Sequence, residues 1–264
     1  MQIYFTTLIT AVFLQIIGVL GIFFLLGFIH SKIQQWTHKN YYKTLGWKGI
    51  LWTAWLGTPI HELGHAFFAK LFRHKINNIT IFQPDEVSGN LGHVDHSYNT
   101  RSLYQKVGNF FVGAAPMIWG SIILTAFLYL FVPNGKDIFQ PLADSNGSIS
   151  GLLTQIPKTL KLFFAIENIS IWNFWLFFYL SLCIASHMAP SKADQKNMWK
   201  GFLWIVIILI IINGITLVVG VDITNYVLST NRYLGIFTAI FIYAILMSLL
   251  HWILSLFLCV LFRK

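Results

Sequence analysis

The chain has 264 residues, 56% of them hydrophobic and only 10% charged, with a mean hydropathy of +0.66 and a formal net charge of +9. That composition excludes an ordinary soluble domain of this length. The basic residues lie mostly beside apolar stretches, where they orient helices and meet anionic lipid, so the bilayer rather than nucleic acid is the expected partner.

Six stretches reach the roughly 18 apolar residues that a spanning helix needs, at about 4–29, 46–72, 104–132, 170–189, 201–221 and 233–261. The expected fold is an all-α polytopic membrane protein, one membrane-embedded domain over residues 1–264, with a short β-hairpin between its second and third helices. No Lys or Arg precedes the first stretch and its apolar run is about twice a signal core, so it reads as a retained helix. Cys183 and Cys259 fall inside predicted spans without a Cys-x-x-Cys spacing, which predicts neither a disulfide framework nor thiolate metal ligands.

The second stretch carries His61-Glu62-Leu63-Gly64-His65. An ionisable residue at membrane depth costs about 2.5–3.5 kcal/mol on insertion scales, so three such side chains in about one turn imply a function. Positions i and i+4 share a helix face, which lets His61 and His65 reach one metal ion. Glu62, one position on, is placed to act as general base on a metal-bound water. Thr58-Pro59 just ahead reads as a cap and a first-turn proline, so the metal-binding part is expected to be a helix restarted inside the membrane.

Residues 74–102 contain Ile79 to Gln83, turn formers around Pro84 and Asp85, and Ser88 to His96, which read as a short hairpin. His93 and His96, three apart, fall on opposite faces of a strand and read as polar hairpin residues. In the third stretch Gly113-Ala114-Ala115-Pro116 predicts close helix approach and carbonyls freed beside the metal. Leu152 to Ile166, with Lys158, Lys161 and Pro157, fits an interfacial or re-entrant element. Asn213 and His251 read as interhelical hydrogen-bonding residues.

A catalytic zinc takes three protein ligands and keeps one position open. Position 71 is Leu, which excludes the metzincin extension. Asp85 and Glu86 have a suitable spacing but follow loop-like Asn77 and Asn78. The better source is Ser186-His187-Met188-Ala189-Pro190-Ser191-Lys192-Ala193-Asp194, because alternating spans bring the ends of the second and fourth to one side of the membrane. Asp194 is the expected third ligand, with His187 as its supporting partner or the alternative. The competing reading of Asp194 is a solvated carboxylate neutralised by Lys192 or Lys196.

The HELGH run in a membrane helix, followed two spans later by a Pro-containing segment ending in Asp194, resembles the site-2 protease family of intramembrane zinc metalloproteases, in its divergent bacterial form. The resemblance covers roughly residues 46 to 200. It departs from the better-known Asn-x-x-Pro-x-Pro-x-x-Asp-Gly pattern, since Pro190 stands four before Asp194 and Gln195 replaces the glycine. It implies a multi-pass protein of the bacterial inner membrane, Zn2+ held by His61, His65 and Asp194, Glu62 as catalytic base, and membrane-embedded peptides as substrates. It also implies that the hairpin receives an extended substrate by strand addition. Two other classes remain open: a zinc-binding partner within a larger membrane complex, and a metal-ion transporter, for which the fifth and sixth spans lack a polar pathway.

Overall fold

The computed structural model describes residues 2–138, 140–144 and 149–262. The chain opens with α1 (Gln2–Ile16), which passes through a π-helical turn at Ile17–Gly21 into α2 (Ile22–Thr44). The first helix therefore runs 15 residues beyond the expected end at 29. Lys32, Lys39 and Lys43 lower hydropathy without breaking helical hydrogen bonds, and the chain turns only at Gly46, whose φ of +65° suits glycine. The antiparallel α3 (Lys48–Leu71) follows at once.

Helix α3 continues unbroken through Pro59, so the expected restart at Thr58 is not there, and the Thr58 hydroxyl makes no cap. Close packing on two sides holds the helix across the proline. A Cβ on Gly57 would strike the Cys183 carbonyl and the His187 ring, and one on Gly64 would strike Trp119. Small residues at both crossings let backbones approach, as membrane helices require.

The hairpin forms, displaced from its expected position. Strands β1 (Lys75–Thr80) and β2 (His93–Ser97) pair antiparallel, with a bulge between Ile76 and Asn78 that takes Asn77 and Asn78 into the strand. Residues 81–92 form the connection, in which Asp85 accepts from Val87 N and from Ser88, and Gly89 takes a φ of +71°. His93 is exposed and His96 half-buried, on opposite faces as expected. The His74 ring anchors the hairpin: its Nε2–H donates to the Gln105 carbonyl (2.9 Å), so its Nδ1 accepts from His96 Nδ1–H (3.1 Å).

Beyond the hairpin run α4 (Leu103–Phe131), the short helices α5 (Gly135–Ile138) and α6 (Gln140–Ala143), α7 (Ile149–Phe163), the short α8 (Ile166–Ile169) and α9 (Trp172–Ala185). Next come α10 (Lys192–Val218), the short α11 (Thr224–Ser229) and α12 (Asn231–Leu261). Among the described residues four helices are long and apolar enough to cross a membrane: Tyr4–Thr44, Leu103–Phe131, Lys192–Val218 and Phe237–Leu261. Phe28, Leu203, Ile215 and Val260 on these helices are exposed, as lipid-facing side chains are. The 15 residues of α7 fall short of a span. Asn213 exchanges two 2.8 Å amide hydrogen bonds with Gln15, and His251 bonds Tyr41 and Ser186, so both join separate helices.

One core cluster joins α4, α7, α9 and α12 through Leu128, Phe163, Phe177 and Tyr243. A second, around Ile60, Phe110, Met117, Ile184 and Met198, lies directly beneath the HELGH turn. At Gly201 the backbone of α10 meets that of α4 so closely that a Cβ would collide with Phe110 N. Gly201→Ala should therefore cost about 1–3 kcal/mol by forcing backbone shifts, read as a lower thermal unfolding midpoint of the purified protein.

A pH effect follows from the hairpin anchor. Burial, and then the neighbouring His74, push the His96 imidazole from 6.5 down to about 4. Between those values the detached hairpin binds more protons than the docked one, so docking is fully stable above pH 6.5 and weakens as pH falls toward 4. Amide-exchange protection factors of β1 and β2, corrected for intrinsic rates, should fall across that window.

Candidate metal centre

His61 and His65 occupy one face of α3, one turn apart, with ring centroids 4.8 Å from each other. Asp194 comes from the first turn of α10 rather than from the end of the preceding span. Helix α9 ends at Ala185 and the chain is non-helical through Ser191, so Pro190 sits in a linker and the continuous helix that would align His187 with Asp194 does not exist. A capping box sets the carboxylate: Ser191 N donates to Asp194 Oδ2 (2.7 Å), and Asp194 N donates to the Ser191 hydroxyl (3.2 Å). Helices α4 and α10 cross at Gly113, where a Cβ would strike the Asp194 carbonyl.

These elements bring three ligand groups together. His65 Nε2 lies 3.1 Å from His61 Nε2 and 3.2 Å from Asp194 Oδ1, and His61 Nε2 lies 3.5 Å from Asp194 Oδ2. Among the described residues this is the cluster of His, Cys, Asp and Glu able to hold a metal ion. Lys192 and Lys196 make no ion pair with Asp194, against the solvated-carboxylate reading; its described ion-pair partners are the two histidines.

The backbone selects the tautomers. His61 Nδ1 is 2.6 Å from the His187 carbonyl, and His65 Nδ1 is 2.8 Å from the Val112 carbonyl. A carbonyl only accepts, so each Nδ1 carries the proton, and in the neutral ring each Nε2 turns a lone pair toward its neighbours. Two lone pairs and a carboxylate facing one another repel, and a cation between them converts that repulsion into ligation. The donor set thus fits a metal ion, with the carbonyls in the supporting role that metal-binding histidines ordinarily have.

Pro116 explains why the Val112 carbonyl is available. In an α-helix the amide of residue i donates to the carbonyl of i−4, and Pro116 has no amide to give to Val112. The freed carbonyls expected of the Gly113–Pro116 segment thus include one that orients His65. The Ser191-to-Asp194 spacing, a Ser followed three residues later by an acid, likewise carried a readable capping signal.

Glu62 is 6% exposed and lines a cleft of about 560 Å³ together with His61. Among the described residues nothing hydrogen-bonds its carboxylate. The backbone of the hairpin connection covers it: Gly92 packs so near that a Cβ would lie 3.1 Å from Glu62 Cγ. His187 contributes its carbonyl rather than its ring, which turns to the Cys183 carbonyl (3.1 Å) and is no ligand of this centre. Asp85 is spent on the hairpin turn and, like Glu86, stands outside the cluster.

Pro116→Ala restores a competing amide for Val112 and should loosen His65, weakening metal affinity by about tenfold or more; competition titration against a chelator measures it, with His61→Ala as the reference for full loss. No family model, no curated protein and no solved structure matches the chain, which leaves the chemistry of this centre as the ground for its function.

Proposed function

We propose that this protein is a zinc-dependent intramembrane endopeptidase, a divergent relative of the site-2 proteases. One observation carries the reading: two histidines and a carboxylate converge beside a glutamate that has no hydrogen-bond partner among the described residues, within a bundle of membrane-length helices. The two Nε2 atoms stand 3.1 Å apart, and each faces one carboxylate oxygen, at 3.2 and 3.5 Å. Two imidazoles and a carboxylate are a donor set that zinc takes, which supports zinc as the ion. In this reading α3, and α8 and α9 together with the linker that follows them (166–191), complete six crossings of a bacterial inner membrane.

Bound by His61, His65 and Asp194, zinc would polarise the scissile carbonyl and lower the pKa of the attacking water. Glu62 accepts a proton from that water as its oxygen bonds to the carbonyl carbon, and delivers the proton to the amine as the C–N bond breaks. The cleft admits the substrate segment, and the backbone of Gly89 to Gly92 forms one of its walls. An extended peptide placed there meets main-chain donors and acceptors, and unwinding a substrate helix is what exposes its amide to the centre.

Glu62→Gln removes the base and leaves all three ligands. It should keep the metal and lower cleavage of a labelled transmembrane-peptide reporter in proteoliposomes by about 10²–10⁴-fold. Unchanged cleavage would sink the mechanism, and a cellular role that survives the substitution would favour the non-proteolytic partner.

A further inference from the structure

A second group of polar side chains in the same cleft is left without partners. Gln34 Oε1 and His38 Nε2 on α2, Thr58 Oγ1 on α3 and His187 Nε2 in the α9–α10 linker are all buried and make no hydrogen bond. All four residues line the cleft that holds His61 and Glu62. Thr58 and His187 are each only 4% exposed. A buried polar group left unsatisfied costs about 1–3 kcal/mol, so four lining one cleft point to a bound species that completes them.

Their chemistry narrows that species. His187 Nδ1 donates to the Cys183 carbonyl, so His187 Nε2 presents a lone pair. Gln34 Oε1 is an acceptor as well. With the Thr58 hydroxyl and the neutral His38 ring also able to accept, the group suits a cation or a strong donor. Two imidazoles on one ion, with metal–nitrogen distances of about 2.0–2.1 Å, have ring centres roughly 4.7–5.8 Å apart as the angle at the metal opens from about 95° to 130°. The His61 and His65 rings, at 4.8 Å, and the His38 and His187 rings, at 5.8 Å, both meet that span. Gln34 and His38, four apart on α2, share a helix face toward the cleft.

We propose that His38 and His187, with Gln34 Oε1 and Thr58 Oγ1 as oxygen ligands, form a second divalent-cation site in the cleft that leads to the His61–His65–Asp194 centre. Two imidazoles select an ion of the zinc, cobalt or nickel type over magnesium or calcium. The site has no carboxylate to neutralise charge, so it binds more weakly than the centre containing Asp194. A weaker site on the same cleft is suited to loading the stronger one. It stands independently of proteolysis, since it needs only the ion.

The test uses the full-length protein in detergent, stripped with a chelator and titrated with zinc, with bound metal counted per chain. Wild type should take up two ions, one tight and one at least tenfold weaker. His38→Ala should lose the weaker ion alone, His61→Ala the tighter one, and Glu62→Gln neither. Gln34→Leu, which leaves both histidines, should weaken the second ion without touching the first, and circular dichroism confirms that each variant is folded. Because the His187 carbonyl also holds His61, substitutions at 38 and 34 carry the test. Saturation of wild type at one ion per chain, with the cleft wall satisfied by water, would overturn the proposal, as would a His38→Ala variant that still binds two. Loss of reporter cleavage with two ions retained bears on the protease reading and leaves this one standing.

Discussion

Two imidazole nitrogens and a carboxylate are held within 3.5 Å of one another, and this arrangement constrains the surrounding architecture. Buried polar and charged groups in such proximity are costly to hold, so the scaffold must fix them in place. It does so with backbone rather than charge. The His187 and Val112 carbonyls lock both rings, and the Ser191 capping box locks the carboxylate. A neutral backbone dipole orients a ring without adding a charge that would compete with the metal.

Those backbone partners exist because regular helix is interrupted at chosen points. Pro116 frees one carbonyl inside α4, and the non-helical run from Ser186 to Ser191 frees another. At membrane depth irregular backbone is tolerated where it lines a cavity or meets a protein partner. Here each interruption meets a histidine. Glycines at 57, 64 and 113 bring α9, α4 and α10 close enough for these contacts, since a Cβ at any of them would strike a neighbouring backbone or ring. The packing of the bundle and the geometry of the centre are therefore one problem.

The hairpin and the cleft extend the same logic outward. The His74–His96 contact fixes the hairpin to the end of α3 and the start of α4, which carries Gly92 over Glu62. The cleft left between the hairpin connection, α2 and the α9–α10 linker is polar on a wall that otherwise belongs to an apolar bundle. Polar atoms concentrated there set the cleft apart from the exposed apolar side chains, such as Leu203, Ile215 and Val260, on α10 and α12.

The sequence by itself determined the helical membrane class, the hairpin and the pairing of His61 with His65, because hydropathy and the i, i+4 spacing are local properties. Asp194 was legible too, from the alternation of spans, although its place in the first turn of α10 was not: apolar residues run to the end of α9, and hydropathy does not register a break that Pro190 and the Ser191 cap create together. The course of α3 through Pro59 was likewise decided by neighbours, since helices packed at Gly57 and Gly64 outweigh the local tendency of proline to end a helix. The tertiary structure alone made the His187 carbonyl the acceptor for His61 rather than its ring a ligand, and set that ring beside His38, 149 positions earlier in the chain. Backbone carbonyls carry no residue identity, and contacts across such separations depend on how whole helices cross, so neither could be read from spacing.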